Sequence, residues 1–241
     1  MLNKTDIEFL LMYKKKSLSE SDLLKYSNWF SNTDISSIKE FVNEHLIAYN
    51  KNHQGIIENS SKYPDQKPDP NRTGYGRFVS KFEEEKHMIR DMFNKFNKSQ
   101  IKGDYIVIDY EVPLMSYKNF GIGDIDLILD YKNIIYLVEA KAKRYGKSGP
   151  SDSLVSCAVQ INNYATLVNQ IRLRADFNIP NEKPIRKAIM IYKNTRAYRD
   201  LEKINSFPIL KKFLQQQEIS IFVMNTQSLF TNYKIVKEVI F

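Results

Sequence analysis

The sequence predicts an α/β chain: a central mixed sheet flanked by helices in the order αβββαβ, with a small helical region ahead of it. Three observations carry this. Residues 124–143 read as two strands joined by a short turn. Segments 77–97 and 154–174 repeat apolar residues at helical spacing. Residues 60–76 hold three prolines, two glycines and several Asp or Asn, the composition of a linker or exposed loop, and a boundary is placed near residue 70.

Taken in order, residues 1–70 form a helical region. Thr5 caps a first helix carrying Ile7, Leu10, Leu11 and Tyr13. Ser19 precedes a second, from Glu20 to Trp29, and Asn32, Thr33 or Asp34 starts a third with Ile35, Ile38, Phe41, Val42 and Leu46 on one face. A small two-stranded wing is expected after it, so the layout is similar to a winged helix-turn-helix. The third helix carries Glu40 and Glu44 against Lys39, which suits protein contact, dimerisation or a structural cap better than DNA reading.

Residues 71–241 form the second domain. The helix at 77–97 shows Phe78, Phe82, Ile89, Met92 and Phe96 as its stripe, and of Glu83, Glu84 and Glu85 only Glu85 falls on it. Strands follow at 104–112, 124–130 and 134–143. In the last, Glu139 and Lys141 share a face by the period of two, opposite Val138, Ala140 and Ala142. In the strand before it, Asp126 lies opposite Ile125, Leu127 and Leu129. The hairpin therefore directs Asp126, Glu139 and Lys141 toward one patch. Ser151, Asp152 and Ser153 offer caps for the helix at 154–174, whose stripe is Leu154, Ala158, Ile161, Ala165 and Val168. Gln160 and Tyr164, four apart, share a face beside that stripe. A strand at 187–193, a helix at about 200–216 and a strand at 218–224 complete the series.

Composition narrows the function. No window approaches about 18 uninterrupted apolar residues, so no membrane span is expected. The N-terminus shows no signal-peptide core, which places the expected site of action in the cytoplasm, in a prokaryote or under a virus or plasmid genome. A single cysteine, Cys157, builds neither a disulfide nor a zinc site within one chain, and His45, His53 and His87 show no ligand spacing. The net charge of +8 is segregated. Residues 1–70 hold nine Lys/Arg against ten Asp/Glu, and the remainder 27 against 18. A polyanion such as DNA is the partner this predicts for the second domain.

Asp126, twelve intervening residues, then Glu139-Ala140-Lys141 resembles the core motif of the PD-(D/E)XK nuclease superfamily, and Gly123-Asp124-Ile125-Asp126 resembles its G-x-x-D lead-in. The proline of the family name is absent. Gln160 and Tyr164 are similar to the Q-x-x-x-Y motif of the branch with RecB-like and lambda-type exonucleases. The resemblance implies a restriction-endonuclease-like fold and Mg²⁺-dependent cleavage of DNA, with Mn²⁺ as a substitute. By that resemblance Asp126, Glu139, the Ala140 carbonyl and Glu85 serve the metal, Lys141 serves the attacking water, and Gln160 and Tyr164 shape the site. The chemistry is self-consistent: Mg²⁺ prefers hard oxygen ligands, and a lysine beside it can orient the water. Lys143, Arg144 and Lys147 follow the second strand into a Gly-flanked loop and are expected to hold phosphates. DNA-end processing, exonuclease action and restriction or recombination endonuclease action all fit. The alternative is a non-catalytic nucleic-acid-binding or protein-interaction module on the same fold, with a homodimer or protein contact through the N-terminal region.

Overall fold

In the computed structural model the hairpin expected at 124–143 forms the middle of a sheet. The structure describes residues 4–12, 17–39, 84–96, 105–113, 124–141, 152–168, 170–193, 195–225 and 233–241. The wing expected after the third helix lies outside them. Helices α1 (Lys4–Leu10) and α2 (Glu20–Asn32) come first, then α3 (Glu84–Phe96). Strands β1 (Tyr105–Pro113), β2 (Asp124–Tyr131) and β3 (Ile134–Lys141) follow. Next come α4 (Leu154–Leu167), α5 (Gln170–Phe177), β4 (Ile185–Tyr192), α6 (Arg196–Glu202), a 3₁₀ turn (Ile204–Ser206), α7 (Pro208–Gln216), β5 (Ile219–Met224) and β6 (Ile235–Val239).

Among the described residues the strands form one six-stranded mixed sheet in the order β1-β2-β3-β4-β5-β6. The first three strands pair antiparallel, β3-β4-β5 run parallel, and β6 returns antiparallel. Lys132 and Asn133 make the β2–β3 turn, with φ of 51° and 63°. Two successive positive φ values define the primed turn whose twist matches that of paired strands. The chain is thus α/β with helices on both faces. On one face, Ile135, Leu137, Ile189, Ile191 and Ile221 pack against α4 and α7. On the other, Val138, Ala140, Ala188 and Met190 pack with Met88, Ile89, Met92 and Phe93 of α3. Strands buried on both sides read as continuous apolar runs, as β3 to β5 do.

The N-terminal helices join the first of these cores. Ser19 caps α2 in a reciprocal box with Asp22. Leu23 and Tyr26 of that helix are fully buried in the same cluster as Leu154, Ala158 and Ile161. Tyr26 Oη donates to Asn163 Oδ1 at 2.5 Å and accepts from Asn162 Nδ2 at 3.1 Å, and Asn163 Nδ2 donates to Leu10 O at 3.0 Å. Burial pushes the Tyr26 hydroxyl well above the usual phenol range. Residues 35–39 begin the expected third helix, and Ile38 is buried.

Several expectations are corrected. The helix expected over 154–174 is two helices, because Val168 turns extended (ψ 134°) and its N–H closes on Tyr164 O. The helix expected at about 200–216 is also divided; Pro208 has no N–H to continue a ladder and instead opens α7. Ile125 packs with Ile128, on the face opposite Leu127 and Leu129. Strict alternation fails there although β2 stays paired with β1 as far as Pro113↔Asp124. The edge strand β6, Ile235–Val239, was not anticipated; its short run carries Lys237 and Glu238, which blunt an edge and hide the strand pattern. No helix among the described residues is long and apolar enough to cross a membrane.

Candidate active site

The site grows from the place where β2 and β3 part. Past Leu127↔Val138, the Ala140 N–H is taken by a side chain: it donates to Asp126 Oδ2 at 2.7 Å. The carboxylate of Asp126 is thereby fixed beside the backbone that links Glu139 to Lys141. Glu139 is fully buried, and its Oε1 lies 2.6 Å from Lys141 Nζ. A desolvated carboxylate at this depth needs a compensating charge, and Lys141 supplies one.

Asp152 completes the arrangement. It stands just ahead of Ser153, the residue that caps α4, and its Oδ2 lies 3.5 Å from Lys141 Nζ. The side chain of Lys141 is only 10% exposed and that of Asp152 29%, so the group opens toward solvent on the Asp152 side. Two carboxylates thus flank the Lys141 ammonium. By residue type Asp152 is a candidate cap, like Ser151 and Ser153. Its position one residue before the true cap was the available signal, but its approach to Lys141 depends on how α4 meets β3.

Asp109 of β1 is a further buried carboxylate among the described residues. It lies 3% exposed on β1, in register with Ile128, and its Oδ1 accepts the Tyr110 N–H at 2.8 Å. A register shift between Val107 and Asp109 delivers it to that position, and no simple alternation forecasts such a bulge.

The other expected residues divide. Gln160 Nε2 donates to Tyr164 Oη at 3.0 Å on α4, and Tyr164 is buried against the sheet. The pair therefore forms as the four-residue spacing requires. Asp126, Ala140, Glu139 and Lys141 are brought together. Glu85 belongs to α3, which covers the sheet face of Val138 and Ala140, whereas Glu139 and Lys141 alternate to the α4 face. The Glu85 side chain, Lys143, Arg144 and Lys147 lie outside the described residues and side chains.

Whether this donor set suits a divalent cation follows from its chemistry. Among the described residues no three His, Cys, Asp or Glu side chains converge as a metal cage. Asp126 and Glu139 nevertheless present two hard carboxylates from neighbouring strands, one of them fixed by the Ala140 N–H. Mg²⁺ commonly takes one or two carboxylates and completes its shell with water and phosphate, so the pair fits it.

Comparison with protein-family models, curated proteins and solved structures returned no match to this chain.

Proposed function

We propose that this chain is a Mg²⁺-dependent deoxyribonuclease on a PD-(D/E)XK-like core. The observation that carries the proposal is the juxtaposition at the β2–β3 strand ends: Asp126 held on the Ala140 N–H beside the buried Glu139–Lys141 pair. Two carboxylates and a lysine on neighbouring strands suit phosphodiester hydrolysis better than ligand binding alone.

Asp126 and Glu139, with the Ala140 carbonyl, would hold Mg²⁺ or Mn²⁺. When bound, the cation would polarise a phosphoryl oxygen and acidify a water. In this scheme Lys141 orients the water and neutralises charge gathering on the phosphate. The water oxygen adds to phosphorus and gives up a proton to solvent, the bond to one nucleoside oxygen breaks, and that oxygen takes up a proton from solvent, so that a phosphomonoester and an alcohol leave. Gln160 and Tyr164, already bonded to each other, shape the wall on α4. Glu85, in the first turn of α3 on the opposite sheet face, is proposed to support the metal or water from beyond the strand ends, and Lys143, Arg144 and Lys147 to hold the backbone. The N-terminal region is proposed to serve a second copy or a protein partner. The cytoplasm is the proposed setting.

A specific observation favours a second reading. The Glu139–Lys141 contact at 2.6 Å is also what a structural ion pair would make. A non-catalytic DNA-binding or protein-interaction module on the same fold would keep it. The test is incubation of the purified chain with linear, circular and single-stranded DNA, in Mg²⁺, Mn²⁺ or chelator. Cleavage that needs metal and disappears with Asp126→Ala supports the nuclease. Degradation of linear but not circular DNA identifies action at ends. No cleavage of any substrate in either metal would refute the proposal.

A further inference from the structure

Asp152 stands at the start of α4, yet other side chains supply the caps there. Ser153 Oγ accepts the Ser156 N–H at 3.2 Å, and Asp200 Oδ2 accepts the Leu154 N–H at 2.9 Å. Two of the N–H groups that a carboxylate in this position commonly serves are thus already met. Asp152 Oδ2 reaches instead to Lys141 Nζ at 3.5 Å. The next residue, Ser153, is buried, so the backbone that carries this carboxylate is held in packed surroundings.

Lys141 is shared unequally. Its Nζ lies 2.6 Å from Oε1 of the fully buried Glu139, and 3.5 Å from the partly exposed Asp152. Attraction strengthens as distance and local dielectric fall, so the ammonium rests on Glu139. That contact occupies the carboxylate which, in the nuclease reading, must also meet a divalent cation. A second positive charge arriving at Glu139 repels the ammonium, and a side chain only 10% exposed has little water to retreat into. A lysine head is compact, sits on a flexible stem and has three rotatable donors. Charge-assisted bonds run at about 2.7–2.9 Å, so Nζ must close by less than about 1 Å to bond Asp152 fully.

We propose that Asp152 is a positioning residue: it takes over the Lys141 ammonium when Glu139 turns its charge to a divalent cation. The inference rests on the reading of Glu139 as a metal ligand. Asp152 then does two things. It gives Lys141 a counter-charge away from Glu139, which frees Glu139 as a ligand. It also keeps the ammonium at the strand ends, where the proposed hydrolysis uses it.

The test measures the Mg²⁺ affinity of the full chain by calorimetric titration without DNA, which reads binding and not turnover. Asp152→Asn keeps the size of the side chain and removes its charge. It should weaken Mg²⁺ binding about fivefold or more, within the coupling expected between contacting residues, and Asp152→Glu should stay within about twofold of the wild type. In a Lys141→Met background no ammonium needs a second partner, so Asp152→Asn should change affinity by less than about twofold. An equal loss in both backgrounds would make Asp152 a ligand or a source of long-range field and overturn the proposal, as would no loss in either. If Lys141→Met fails to fold, crystals of the wild-type chain grown in Mg²⁺ decide. Lys141 Nζ should then lie nearer to Asp152 Oδ2 than to Glu139 Oε1, and an ammonium still on Glu139 beside a bound cation would overturn the proposal. A wild-type chain that binds no Mg²⁺ overturns this proposal and the nuclease reading together. A chain that shows the coupling but cuts no DNA supports the role of Asp152 and refutes the nuclease alone.

Discussion

The carboxylate of Asp126 accepts the backbone N–H of Ala140 at 2.7 Å, so one side chain closes the gap where the β2–β3 ladder ends. The same group is the first proposed metal ligand. Stability and catalysis therefore separate in two substitutions. Asp126→Ala leaves the Ala140 N–H without this acceptor and should cost about 1.5–3 kcal/mol, the range for a bond to a charged group. Asp126→Asn keeps an acceptor oxygen and should retain most of that stability. Both should lose Mg²⁺-dependent cleavage. Urea unfolding beside a cleavage assay checks this, and an Asp126→Asn variant that cuts at the wild-type rate would remove Asp126 from the site.

A second prediction concerns the buried network. Tyr26 Oη lies between Asn162 and Asn163, so Tyr26→Phe removes a partner from each amide and should cost about 1–3 kcal/mol. The sign of its pH dependence follows from burial, which raises the Tyr26 pKa in the folded chain above its unfolded value. The folded state then holds its proton where the unfolded state releases it. Stability from this source is intact below about pH 10 and falls as pH rises beyond it. Tyr192 and Tyr233 are shifted in the same direction by burial. Melting temperature should therefore decline steeply on the alkaline side, and Tyr26→Phe should shallow that decline. A slope unchanged in the variant would show that Tyr26 does not contribute to it.

Much of this fold is legible in the sequence where the signal is local. The β2–β3 hairpin follows from alternation and from Asn133, a residue tolerant of positive φ. The Ser19 cap of α2 and the Ser153 cap of α4 follow from residue type. The missed features depend on tertiary contacts. Asp152 reaches Lys141 only because α4 docks on β3. Lys187 looks like a strand-surface lysine until Asn162 and Gln217 arrive from α4 and α7. Ile125 joins the core under α4 and Leu127 the opposite one, which no period of two encodes. At the strand ends, spacing forecasts the approach of Asp126 to the Glu139–Lys141 segment that the Ala140 N–H bond makes. It could not foresee that Glu139 would be fully buried or that Lys141 would sit between two carboxylates.

A third prediction addresses DNA hold. Lys143, Arg144 and Lys147 follow directly on β3, which ends at Lys141 in the candidate site. If they contact phosphates, a triple alanine variant should bind DNA more weakly, with the salt slope reduced by about one for each lost contact. Fluorescence anisotropy across a salt series measures both. An unchanged slope would count against phosphate contact by this segment.

The last prediction separates the two readings of Lys141. Its ammonium lies 2.6 Å from the buried Glu139 and 3.5 Å from Asp152. Without metal, Lys141→Ala leaves Glu139 buried without this counter-charge, and a loss of roughly 3–5 kcal/mol is expected under either reading. The readings diverge when Mg²⁺ is added. In a purely structural pair Glu139 has no use for the cation, and the loss should persist. In a nuclease site the cation takes over the compensation of Glu139, and stability should return as Mg²⁺ rises above its dissociation constant. Turnover should not return, because water orientation and phosphate neutralisation are still missing. Lys141→Arg should keep the ion pair and the stability yet turn over poorly, since a forked guanidinium does not replace a compact ammonium able to release its proton. Melting curves with and without Mg²⁺, run beside a cleavage assay for each variant, read all of these. An alanine variant still destabilised at saturating Mg²⁺ would return Lys141 to a structural role, and one cutting at near wild-type rate would remove it from catalysis.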